Sequence, residues 1–215
     1  MALRWLEHLG FAPRLERREF LDDAALRGGM RDGDLSVVAP SVEQVEAFLA
    51  SAADERSRTC PHNAIDRAWI DDLLRRAPGG RQRPPRGVGC DLAYRYWLKL
   101  DPPEPLPFAG TVTLRIGDDH ELEQYVGHIG YLIFPPCRGR SLAGRAVTLL
   151  LPLAARHGMR SVIITINPDN RPSQRVIEKL GGTLLGEVDL PEHHPLRERG
   201  ESRKLRYRLP TGLGS

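Results

Sequence analysis

The chain has 215 residues, 40% of them hydrophobic and 27% charged, a globular composition that excludes a disordered or fibrous protein. A formal net charge of +3, from 31 basic against 28 acidic residues, excludes a strongly polycationic chain, and no apolar run approaches the roughly 18 to 20 residues of a membrane helix. The leading "MALRWLEHLGFAPRLERREF" lacks the apolar core of a secretion signal, and Cys60, Cys90 and Cys137 form no CxxC pair or metal-ligand spacing, so a soluble cytoplasmic protein is expected.

In chain order, residues 1–33 read as an appendage, with Phe11, Leu15, Phe20, Leu21 and Leu26 lining one side of a short helix before the glycines of "RGGMRDGD". "LSVVAP" (35–40) is a short strand. "SVEQVEAFLASAADE" is a helix with Ser41 and Gln44 as a capping box and Val42, Val45, Phe48 and Leu49 as its apolar stripe. A second helix spans 64–77 through Ile65, Trp69, Leu73 and Leu74, and the Pro- and Gly-rich 78–87 is a loop. Strands follow at 91–100, 108–117 and 125–134, the first rich in aromatic residues. A helix begins near Leu142, "SVIITI" (161–166) is a strand covered on both faces, and a helix in "NPDNRPSQRVIEKLGG" stops at Gly181 and Gly182. "TLLGEVDL" and "KLRYRLP" close the order as strands, with 211–215 a tail. Three strands with short links form an antiparallel meander, and residues 125–166 form a right-handed strand–helix–strand crossover. The fold class is α/β: a mixed, mostly antiparallel sheet of six to seven strands flanked by helices, in one domain over 34–210.

The informative stretch is "FPPCRGRSLAGRAVTLLLPLAARHG" (134–158), where small and basic residues stand at a helix start. The first turn of a helix has unpaired N–H groups and a partial positive charge, so it suits an anion if side chains are small. Gly139, Ser141, Ala143 and Gly144 are small, and Arg138 and Arg140 add charge. No lysine follows the glycines, which excludes a P-loop, and the preceding strand sits too late in a meander for a Rossmann start. Leu142, Ala146, Leu149, Leu150 and Leu153 supply the buried stripe of this helix, with Pro152 inside it as an expected bend.

Taken together, "HIGYLIFPPCRGRSLAGRA" resembles the coenzyme-binding motif of the GNAT superfamily of N-acetyltransferases, in which Arg/Gln-x-x-Gly-x-Gly/Ala opens a helix. Here it reads Arg138-Gly139-Arg140-Ser141-Leu142-Ala143, with serine where the family has glycine. "NPDNRPSQRVIEKLGG" is similar to the motif that follows it, and "GTVTLRIGDDHELEQYVGHIGY" to the middle strands of a bacterial branch of predicted acetyltransferases. The resemblance implies acetyl-CoA as co-substrate and an amine as acceptor. It also implies a diphosphate on the backbone from Gly139 through Gly144, a pantetheine arm along Tyr131, Leu132 and Ile133, and Asn170 near the thiol.

The family's tyrosine and glutamate positions are occupied by Ile177 and Thr165, so neither catalytic role carries over. Glu123 and His128 are the candidate bases and Tyr131 the candidate acid, each against a structural reading: a solvated turn residue, a bonded core histidine and a core tyrosine. A non-catalytic coenzyme-binding protein and an Arg-rich nucleic-acid module remain as alternatives. The arginines form no stripe, which argues against the latter. The acceptor, the role of 1–33 and a homodimer stay open.

Overall fold

The computed structural model describes Phe20 and residues 30–53, 65–84 and 90–212. Its strands are β1 Arg31–Asp32, β2 Leu35–Val38, β3 Arg81–Gln82, β4 Leu92–Leu100, β5 Phe108–Ile116, β6 Ile129–Ile133, β7 Ser161–Ile166, β8 Thr183–Asp189 and β9 Arg203–Pro210. The helices are α1 Val45–Ala53, α2 Arg67–Arg76, α3 Leu142–Arg156 and α4 Arg171–Lys179.

The strands form two sheets rather than the single sheet expected. One runs β1-β2-β4-β5-β6, with β3 on the same edge of β4 as β2; the other runs β7-β9-β8. Every pairing is antiparallel. The two sheets meet where β6 and β7 begin. His128 N–H donates to the Ile163 carbonyl at 2.7 Å, and the Ile163 N–H donates to His128 Nδ1 at 2.8 Å. Beyond that point no ladder joins β6 to β7, so the strand–helix–strand crossover spans a gap.

Period-two alternation assigns the faces of the large sheet, except that the register shift at Leu98/Lys99 turns Phe108 to the face opposite Val112. Leu92, Tyr94, Tyr96, Leu98 and Leu100 of β4 and Val112, Leu114 and Ile116 of β5 share a core with Leu142, Ala146, Val147, Leu150 and Leu153 of α3. On the other face, Trp97 and Phe108 pack with Val45 and Phe48 of α1 and Ile70 of α2. Phe48 stacks on Trp97 with ring centroids 4.0 Å apart, a contact adding about 0.5–1.5 kcal/mol beyond area burial.

Several local expectations changed. Val42 is 69% exposed and Trp69 41%, so neither belongs to an apolar stripe; Ile70 takes the place of Trp69. Ser41 makes no cap, and its hydroxyl instead interacts with Glu43, whose carboxyl it helps lower. Residues 122–126 form a turn of π-helix, so β6 starts at Ile129 instead of 125. Pro152 does not end α3: it lies on the exposed side, as does Thr148, whose carbonyl it leaves free for water. Within the expected appendage, β1 pairs with β2, and Phe20 packs edge-on against Tyr94 at 5.3 Å. Phe11, Leu15, Leu21 and Leu26 lie outside the described residues.

Candidate active site

The gap between the sheets opens along β6. Arg115 N–H bonds the His128 carbonyl and Phe134 N–H the Ala109 carbonyl, so Gly130 and Leu132, spaced between them, direct their backbone groups toward β5. The intervening Tyr131 and Ile133 direct theirs toward the gap. Of the three residues expected to meet a pantetheine arm, Tyr131 therefore presents both its backbone groups and Ile133 its N–H, the Ile133 carbonyl being taken by Arg138, and Leu132 is spent on the sheet. Gly110 holds β6 close: a Cβ there would come within 1.9 Å of the Leu132 carbonyl oxygen, and its φ of +147° also requires glycine.

At the end of β6 a short 3-10 turn over Pro135–Cys137 leads to Gly139 and Ser141, both left-handed with φ of +80° and +59°, and then to α3. No side chain caps α3. The first-turn N–H groups of Leu142, Ala143 and Gly144 thus keep the orphan character of a helix start. Nothing lies within 4 Å of a Cβ built on Gly139, so its approach is open, while Gly144 faces Val176 of α4 at 3.7 Å and sets the spacing of the two helices.

The arginines of this segment are turned aside. Arg140 grips Glu104 with both terminal nitrogens, at 2.7 and 2.8 Å, and reaches Asp34 at 3.5 Å. Arg138 donates from Nε to the Ile133 carbonyl at 3.1 Å. Arg145 holds Asp32 and Asp34, and its guanidinium keeps the Asp34 carboxyl below the usual carboxylate range. These bonds tie the β1–β2 hairpin to the helix start.

Asn170 caps α4, its Oδ1 accepting from Ser173 N–H at 3.2 Å. Tyr131 is half-buried beside that turn. Its hydroxyl is enclosed with no protein partner in hydrogen-bond geometry; burial pushes its pKa up, and nearby Ser173 acts in the opposite sense.

Glu123 and His128 sit elsewhere. They line a cavity of about 380 Å³ with Arg160, Ser161 and Arg206, at the start of β6 and β7. The helix start lies at the far end of β6. His128 is 2% exposed, and because Nδ1 accepts from Ile163, Nε2 carries the proton toward the Gly117 carbonyl at 3.1 Å.

Two further residues were not singled out in sequence. Arg95 and Arg115 share the α1/α2 face of the large sheet, diagonal across the β4–β5 ladder. In sequence, "TVTLRI" puts Arg115 at alternate spacing with Thr111 and Thr113, which reads as an ordinary solvent face; only the packing shows it half-buried with its guanidinium against Gly130.

The geometry has clear relatives. The acetyltransferase of the GNAT family from Bacillus anthracis superposes with a TM-score of 0.58 at 15% identity, over 85% of this chain and 98% of that one. The microcin C7 self-immunity acetyltransferase MccE, solved with acetyl-CoA and AMP, gives 0.54 at 17% identity, over 83% and 93%. RimL, a ribosomal L7/L12 alpha-N-protein acetyltransferase solved with coenzyme A, gives 0.54 at 17%, over 85% and 97%. No curated protein matches the chain in sequence. Among the described residues, no helix is long and apolar enough to cross a membrane. The acetyltransferase (GNAT) domain family matches residues 35–183, which takes in the meander, the uncapped helix start and α4, and the chain belongs to that family of acetyltransferases.

Proposed function

We propose that this chain moves an acetyl group from acetyl-CoA to an amine by direct attack on the thioester. The observation that carries the reading is the α3 start: uncapped, preceded by two left-handed residues, and placed where the open edge of β6 ends. The donor supplies an activated acyl group. The backbone from Gly139 through Gly144 holds its diphosphate, and the outward backbone groups of Tyr131 with the Ile133 N–H hold the arm, the Ile133 carbonyl being taken by Arg138. Solved relatives carry this coenzyme or its acetyl form, in keeping with the assignment.

The chemistry asks for few groups. A nitrogen–carbon bond forms, the carbon–sulfur bond breaks, one proton leaves the amine and one reaches the thiolate. A backbone N–H on the open edge of β6 suits the developing oxyanion. Tyr131 suits the thiolate, since a phenol whose pKa burial raises stays protonated and can donate. His128 suits a structural post: both ring nitrogens hold backbone groups across the junction of the sheets. Glu123 lines the same cavity at the start of β6, and this reading passes the amine's proton to water. Arg138 and Arg140 shape the loop rather than neutralise phosphate, and Asn170 serves as a helix cap.

The test is thermal. Acetyl-CoA at a hundredfold its Kd adds about 2.7 kcal/mol, which for a chain of this size raises Tm by roughly 5–10 °C. No shift at millimolar coenzyme would end the proposal. Free-thiol release with a panel of amines separates transfer from binding alone.

A further inference from the structure

Arg115 lies across the strand that carries the proposed chemistry. A Cβ on Gly130 of β6 would stand 3.4 and 3.6 Å from its two terminal nitrogens, so the guanidinium rests on β6 one residue before Tyr131. It does so on the α1/α2 face, opposite α3 and α4. One terminal nitrogen donates to the neutral Gly127 carbonyl at 3.1 Å. Burial pushes its pKa down to about 10, and the like charge of Arg95 acts in the same direction.

A half-buried cation without a carboxylate is under-compensated, and an arriving anion would supply what is missing. Among the described residues no carboxylate pairs with Arg115 or Arg95. Arg95 donates to the Gln82 amide oxygen at 2.5 Å, and its own pKa is lowered, first by burial. The Cys90 thiol beside them has its pKa raised by burial and brings no negative charge. Over Arg95 opens a space of about 120 Å³, walled by Trp69 of α2. Asp72 at its rim is engaged by Arg75 and Arg76.

We propose that Arg115, flanked by Arg95, binds a carboxylate of the acceptor, so that the substrate is an amine that also carries a carboxylate a few bonds away. This rests on the acetyl-transfer reading and names the acceptor class for it. A guanidinium presents a planar fork that takes a carboxylate through two parallel hydrogen bonds, which orients as well as attracts. Its charge next to the acceptor nitrogen also favours the neutral amine over the ammonium, the form that attacks.

The experiment pairs each of the twenty α-amino acids with its carboxamide at fixed acetyl-CoA, reading thiol release, with phosphoethanolamine and simple alkylamines alongside. At least one acid should react, and its carboxamide should be at least tenfold poorer in kcat/KM. Arg115→Met should erase that preference chiefly through KM, and Arg95→Met should weaken it less. Arg115→Lys should keep part of it. Arg115→Met removes a half-buried charge for an apolar chain of similar length, so Tm and the coenzyme-induced shift should persist and certify the fold. Acids and amides used alike, no acid used at all, phosphoethanolamine preferred over every acid, or a preference that survives Arg115→Met would each overturn the assignment. A retained coenzyme shift in those cases leaves the acetyl-transfer reading standing, whereas its loss in the wild-type protein strikes that reading first.

Discussion

The starts of α3 and α4 are the same kind of structure put to different ends. Each follows a strand and sits beside the gap between the sheets. At α4 the turn closes on itself: Asn170 takes the Ser173 N–H, and Gln174 Nε2 donates to the Pro168 carbonyl at 2.9 Å. At α3 no side chain takes the first N–H groups, and two residues are held left-handed to expose them. One end spends its donors on its own turn; the other leaves them without a side-chain partner. A helix start is thus informative by how its donors are used, not by being a helix start.

The largest test of this contrast puts a carboxylate on the open end. Ala143→Asp places an acid in the first turn of α3, where it is neutral or favourable for the helix by about 0.3–1 kcal/mol. It should repel a diphosphate, so the coenzyme-induced Tm shift disappears while the unliganded Tm holds. A retained shift would mean that the coenzyme does not use this turn.

The far end of α3 gives a second contrast. His157 there is buried, with Nε2 2.7 Å from the Tyr94 hydroxyl, and burial lowers its pKa from 6.5 to about 4. The folded state binds this proton less readily than the unfolded one. Its contribution is therefore complete above pH 6.5 and is lost as pH falls from there through about 4. Tm measured across that window should drop, and the drop attributable to this site should vanish in His157→Gln.

Asn170→Ala should cost about 1 kcal/mol by uncapping α4, a fall of roughly 2–4 °C in Tm, with the coenzyme shift kept. A lost shift would instead mean that Asn170 touches the coenzyme. The smallest change is Ser141→Gly. A left-handed L-residue carries about 1 kcal/mol of strain, so this variant should be more stable by that order and bind coenzyme no worse. Calorimetry with coenzyme A checks both halves.

Much of this was legible before folding. The helical spacing of α3 named most of its core residues, Leu142, Ala146, Leu150 and Leu153, because burial on one face leaves a regular trace. The small residues from Gly139 to Gly144 pointed to an anion for the same reason that they are small: backbone must approach. The errors came where two periods compete or where a pattern is weak. Val42 and Trp69 fit a helical stripe in sequence, but α1 begins only at Val45 and α2 turns Ile70 inward. Glu123 and His128 precede β6, and only the packing shows that they share one cavity and that both ring nitrogens of His128 hold backbone groups.

The amino-acid sequence alone determined the order of the main elements, the family and the small-residue start of α3, since each rests on local conformation and short-range spacing. Tertiary structure alone decided which backbone edge of β6 is open, that Arg140 is held by Glu104, and that Arg115 lies across Gly130. Those facts depend on partners more than a dozen residues away, and no local pattern encodes which distant groups will satisfy a given donor or charge.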